Sequence, residues 1–112
     1  MITIYKITCL STGMVYVGQT SRDIKARWLQ HLHNAKNKPD VPLYTDILKY
    51  GGKEFFVEEI EKCEPHPIVS GNIDRERFWI QKLDTQYPSG YNIHPIKGYK
   101  SPSQVHGFLN GK

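Results

Sequence analysis

Between Ile2 and Thr20 the chain alternates. Ile2, Ile4 and Lys6 fall on one side and Thr3, Tyr5 and Ile7 on the other, followed by Val15 and Val17 against Met14, Tyr16 and Gly18. A period of two is that of a strand, so the segment predicts two strands joined through the Ser, Thr and Gly of "CLSTG" into an antiparallel hairpin. A four-residue loop sets Thr8 opposite Gly13, and the same register sets Tyr5 directly opposite Tyr16. Two phenols are then expected to share one place.

From Thr20 the period changes. "TSRDIKARWLQHLHNA" places Ile24, Trp28, Leu32 and Ala35 at helical spacing behind a Thr20-x-x-Asp23 capping-box pattern. A polar loop over 36–40 leads to a shorter helix in "VPLYTDILKYGG", with Pro42 near its start and Gly51-Gly52 stopping it. "EFFVEEIEKC" alternates well enough to read as a third strand, mostly acidic on its exposed face. After the prolines of "EPHPIVSG", "NIDRERFWIQKLDT" resumes helical spacing at Ile73, Ile80 and Leu83. The order β-β-α-α-β-α predicts an α+β fold, an α/β sandwich in which a small, mainly antiparallel sheet of three strands is flanked by helices over residues 1–94. Residues 95–112, rich in Gly, Pro, Ser and Lys, have too few apolar side chains for a core element and are expected to be a flexible tail or linker.

Polar residues on apolar faces supply the candidate chemistry. On the first helix His31 falls inside the arc marked by Ile24, Trp28 and Ala35, with Arg27 one turn earlier on its edge. Arg27 can snorkel to solvent and His31 can satisfy a core hydrogen bond, or both can serve a site. Glu76 is the sharper anomaly, because it sits at the centre of the arc bracketed by Ile73, Trp79, Ile80 and Leu83, where a leucine would be expected. A desolvated carboxylate costs several kcal/mol unless a cation meets it, which leaves either a salt bridge to Arg27 or Arg75, or a metal ion. His31 and His33 do not form a zinc set with Cys63 and His66, since helical neighbours two apart point to different faces. The other tyrosines, Tyr44, Tyr50, Tyr87, Tyr91 and Tyr99, are assigned to packing or surface contacts.

Size and charge narrow this picture. With 112 residues and 38% hydrophobic content the chain holds one domain, and a net charge of +4 favours an anionic partner. Cys9 and Cys63 lie far apart at no metal-like spacing, so free thiols in a reducing compartment are expected. No segment approaches the roughly 20 apolar residues of a membrane span, and none has the form of a leader. A soluble, cytoplasmic protein with no membrane partner is the expectation.

Taken together, these residues resemble the GIY-YIG nuclease family, in particular its homing-endonuclease-like catalytic domains. Its first signature is similar to Thr3-Ile4-Tyr5, with Thr where the family often has Gly, and its second to Tyr16-Val17-Gly18, with Val in place of Ile. The family's helical arginine and histidine match Arg27 and His31, its metal-binding glutamate matches Glu76 in "DRERFWIQKLDT", and its downstream asparagine matches Asn92 in "GYNI". The match runs in order from about residue 1 to residue 94.

The resemblance implies an endonuclease that hydrolyses DNA phosphodiester bonds through a single divalent ion, Mg²⁺ or Mn²⁺, leaving 5′-phosphate and 3′-hydroxyl ends. Its catalytic set would be Tyr5, Tyr16, Arg27, His31, Glu76 and Asn92, with Glu76 holding the metal. Arg27 would meet the scissile phosphate with its planar fork, while His31 and Asn92 would orient water, tyrosine or phosphate. Tyr5 is expected as the base and Tyr16 as its partner, helped to ionise by Arg27, the ion or a protonated His31. Intrinsic sequence specificity would be weak, supplied in the family by an attached DNA-binding module. The competing expectation is a module of the same fold that binds nucleic acid without cutting it, and such a module would lack this charged set.

Overall fold

The computed structural model describes residues 1–93. The domain boundary at residue 94 and the tail expected over 95–112 lie outside the described residues. The elements follow the predicted order: β1 (Ile2–Cys9), β2 (Val15–Thr20), α1 (Ile24–Asn37), α2 (Pro42–Tyr50), a single 3₁₀ turn (Gly52–Glu54), β3 (Phe55–Cys63) and α3 (Ile73–Leu83). The three strands pair antiparallel in the order β2-β1-β3, so β1 is the middle strand.

A middle strand covered on both sides must be apolar on both, and β1 is. Tyr5, Ile7 and Cys9 point into a core with Ala35 of α1, Leu43, Tyr44 and Ile47 of α2, Phe55 and Tyr91. Ile2 and Ile4 point the other way, into a smaller core with Val17 and Ile80 of α3. Helices α1 and α2 therefore cover one face of the sheet and α3 the other. Both cysteines are free. No helix among the described residues is long and apolar enough to cross a membrane.

Three local expectations are corrected. Tyr5 stands opposite Gly18 and Tyr16 opposite Ile7, because Gly13, at a φ of +78°, belongs to the turn and the loop slides by one residue on each strand. A slip of this kind keeps every side chain on its own face, so the two phenols remain neighbours, now along a diagonal of the ladder. Thr20 does not cap α1. It ends β2, its hydroxyl accepts from the Arg22 N–H at 3.0 Å, and the helix starts after Asp23. Finally, β3 does not alternate cleanly, since a bulge at Ile60 shifts its register between Ile4 and Tyr5.

The segment after α3 returns to the free edge of β2. Tyr91 donates its N–H to the Val15 carbonyl, and the Asn92 side chain reads the Val17 backbone as another strand would: Val17 N–H donates to Asn92 Oδ1 at 2.9 Å and Asn92 Nδ2 donates to the Val17 carbonyl at 2.8 Å. The edge that carries Tyr16 is thus covered.

Candidate active site

A cleft of about 670 Å³ opens where the two helical layers meet around the β2 edge, lined by Tyr16, Arg27, His31, Glu76 and Asn92 among others. Tyr5 is the remaining member of the expected set. It is 1% exposed and lies just behind this wall, its ring centroid 6.2 Å from that of Tyr16. Residues far apart in the chain and on opposite faces of the sheet therefore converge on one opening.

Gly18 makes the tyrosine pair possible. A Cβ at this position would lie 2.5 Å from Tyr5 Oη and 2.8 Å from Tyr16 Cε2, so the two rings fold over a bare backbone. Gly18→Ala is expected to cost roughly 2 kcal/mol, the usual scale of overpacking, and to displace both phenols. Thermal unfolding together with near-ultraviolet circular dichroism of the tyrosines checks both parts.

His31 is 1% exposed and held at both ring nitrogens, with Tyr5 Oη 2.8 Å from Nε2 and Tyr44 Oη 2.8 Å from Nδ1. Burial, reinforced by the Arg27 charge, pushes its pKa down to about 4. At neutral pH the ring is uncharged, donating through one nitrogen and accepting through the other. The imidazole therefore links two phenols in its neutral form, whereas a protonated His31 is one of the cations expected from the sequence to help a tyrosine ionise.

A pH signature follows from that burial. In the unfolded chain His31 takes up a proton near pH 6.5, and in the folded chain only near pH 4, so acidification through this window favours unfolding by up to about 3 kcal/mol. Denaturant unfolding from pH 7 to pH 4 should show this slope, and His31→Gln should remove it. Glu76 works in the opposite direction and is left in place in both proteins.

Both phenols are harder to ionise than free tyrosine. Burial, then the neighbouring Tyr16, raise Tyr5 well above its ordinary value, while burial and the Glu76 carboxylate push Tyr16 up to about 12. Arg27 opposes these effects at both rings. Arg27 also donates from Nη1 to Gln30 Oε1 at 2.8 Å.

Glu76 is half-buried and its carboxyl is pushed above the usual range by desolvation. Neither salt bridge considered from the sequence holds it. Arg75 is spent on Glu61 through two bonds of 2.8 and 2.6 Å, and the hydrogen bond to Glu76 comes from Gln19 Nε2 at 3.0 Å. Among the described residues no ion pair neutralises Glu76. A partly desolvated carboxylate that lines a cleft, with no ion pair to it among the described residues, has the donor chemistry for Mg²⁺, which keeps most of its waters and takes one or two carboxylates beside substrate phosphate oxygens. His31 and His33 diverge as expected, one buried and one exposed, and no cluster of three or more histidine, cysteine or carboxylate ligands occurs among the described residues.

Asn92 lines the cleft and also has a structural part: its carbonyl accepts from Val17 N–H and from Thr85 Oγ1 at 2.6 Å and its amide donates to the Val17 carbonyl, so it fixes the strand between Tyr16 and Gly18. Tyr44, assigned to packing from the sequence, belongs to the site. Its position beside Leu43 on the buried face of α2 was the available signal, because a buried phenol needs a hydrogen-bond partner. Lys38 and Arg77 also line the cleft and add to its positive charge.

A family model described as the GIY-YIG catalytic domain matches residues 1–92. Among solved structures, the chain is similar to the catalytic domain of the homing endonuclease I-TevI, with 27% identity, a TM-score of 0.68 and coverage of 85% of this chain and 100% of that one. It is likewise similar to a glutamate-to-alanine mutant of the catalytic domain of the intron endonuclease I-TevI, with 27% identity, a TM-score of 0.70 and coverage of 86% and 97%. No curated protein matches it. A family match running from Met1 to the Asn92 clamp takes in Tyr5, Tyr16, Arg27, His31, Glu76 and Asn92, and the chain belongs to the GIY-YIG catalytic domain family as an endonuclease.

Proposed function

We propose that the domain hydrolyses DNA phosphodiester bonds with one divalent ion held by Glu76. The observation that carries this reading is the convergence of Tyr16, Arg27, His31 and Glu76 on one cleft, with the carboxylate left unneutralised among the described residues. Mg²⁺ or Mn²⁺, when bound, would polarise the phosphate, stabilise the leaving oxygen and cancel the carboxylate charge that opposes ionisation of Tyr16.

The chain's own residues account for the remainder. Arg27 offers an always-charged planar fork to the phosphate as negative charge develops on its oxygens. Tyr5 serves as the base from just behind the cleft wall: its hydroxyl touches His31 Nε2 and can pass its own proton toward the neutral imidazole as it takes one, by way of the Tyr16 hydroxyl, from water in the cleft. Tyr16 faces the cleft and fixes that water beside its partner. Tyr44 completes the line of hydrogen bonds at His31 Nδ1.

A basic cleft that meets phosphates has no evident means of reading bases, so intrinsic sequence specificity is weak and binding should fall steeply with salt. The test is incubation with supercoiled plasmid and Mg²⁺, with and without EDTA. Nicked and linear products that disappear with EDTA support the reading. Binding without any cleavage in Mg²⁺ or Mn²⁺ would replace it with a nucleic-acid-binding module.

A further inference from the structure

We propose that Gln19 is a positioning residue that holds the Glu76 carboxylate in its cation-binding orientation, an inference that rests on the reading of Glu76 as the metal-holding group. Gln19 lies on β2, on the face of the sheet that α3 covers, and its carboxamide joins two points of that helix. Its Oε1 accepts from the Asn72 N–H at 2.7 Å and its Nε2 donates to Glu76 Oε1 at 3.0 Å. Asn72 in turn caps α3, its Oδ1 accepting from the Arg75 N–H at 3.1 Å.

The orientation of the amide is determined by chemistry. A backbone N–H can only donate, so the carbonyl end of Gln19 must face Asn72 and the NH₂ end must face the carboxylate. Gly71 makes room for this contact: its φ is +74°, and a Cβ there would run into Gln19 Oε1. The same loop that starts α3 thus seats the side chain that orients Glu76 one turn later. One carboxylate oxygen is taken by Gln19, and among the described residues the other has no hydrogen-bond partner. A ligand held at one oxygen offers the other along a fixed direction, as the outer partners of metal-ligating carboxylates do.

The experiment measures Mn²⁺ binding to the DNA-free protein by electron paramagnetic resonance, with wild type, Gln19→Met and Glu76→Ala compared, and thermal unfolding recorded for each. Gln19→Met fills the same volume without either hydrogen bond. It is expected to weaken Mn²⁺ binding by about 10-fold, the lower end of such outer-partner effects, and to shift half-maximal cleavage to higher Mg²⁺ while saturating Mg²⁺ restores most of the rate. Gln19→Asn, one methylene too short to span both partners, is expected to show the same weakening and stands in if the methionine variant does not fold. A lowered unfolding temperature with unchanged Mn²⁺ affinity would make Gln19 a purely structural brace and overturn the inference, Glu76→Ala still being defective. Equal Mn²⁺ binding by Glu76→Ala and wild type would instead remove the reading of Glu76, and this inference with it.

Discussion

Replacing Glu76 by alanine or glutamine is expected to reduce cleavage by on the order of 10³-fold or more while the domain stays folded. A cation acting on a phosphoryl oxygen supplies several kcal/mol of charge stabilisation, and each ~1.4 kcal/mol is a factor of ten in rate. The glutamine substitution, which keeps an acceptor for Gln19 Nε2, should not weaken the fold. Desolvation raises the Glu76 carboxyl above its ordinary value, so at neutral pH its ionised form opposes folding, and this cost shrinks as pH falls below the folded-state value and is gone below the unfolded one. Glu76→Gln should therefore unfold at the same temperature as wild type or higher at pH 7, with the difference shrinking in acid. Plasmid cleavage and calorimetry on the same preparations check both halves. Full activity in either variant would end the assignment of Glu76.

The second large effect belongs to the tyrosine pair. Tyr5→Phe and Tyr16→Phe are each expected to slow cleavage by on the order of 10²-fold, the common size of a general-base contribution. Because the two hydroxyls handle one proton transfer, the double variant should lose far less than the product of the single losses. Stability should separate them where activity does not. Removing the Tyr5 hydroxyl leaves a buried nitrogen of His31 without its partner, at about 1–3 kcal/mol, whereas Tyr16 borders the cleft and water can replace its hydroxyl. Single-turnover rates with denaturant unfolding measure both. Near-wild-type cutting by both single variants would reduce the pair to a packing contact.

What could be read from the chain follows from the reach of each signal. Alternation and helical spacing are local and repeated, so the element order and the buried stripes of α1 and α3 were legible, and with them the misfit of Glu76. The hairpin register was not, because it turns on the positive φ of Gly13, which alternation cannot distinguish from a strand position. Thr20 showed the residue type of a cap but had been claimed by the end of β2 and a short turn. Asn92 was placed in the right neighbourhood by resemblance, yet its part depends on the Val17 backbone meeting it from 75 positions away. Gln19 left no trace at all: a lone polar residue on a strand reads as solvent-facing until α3 is packed over it. The charge of His31 is not legible for a related reason, since Tyr44, which bonds its ring, comes from a different helix.

The middle position of β1 has a consequence for how this enzyme would fail. Arg27 and His31 ride on the layer seated in the larger core, while Glu76 rides on α3, seated on the smaller core of Ile2, Ile4, Val17 and Ile80. The catalytic geometry is therefore an alignment between two separately anchored plates, and the plate with fewer buried contacts is free to loosen first. Trimming Ile80 to valine removes one methylene from that anchor, at about 0.5–1.5 kcal/mol. On gradual warming, catalysis should fade several degrees before the strands part, and Ile80→Val should widen that gap more than it lowers the melting point.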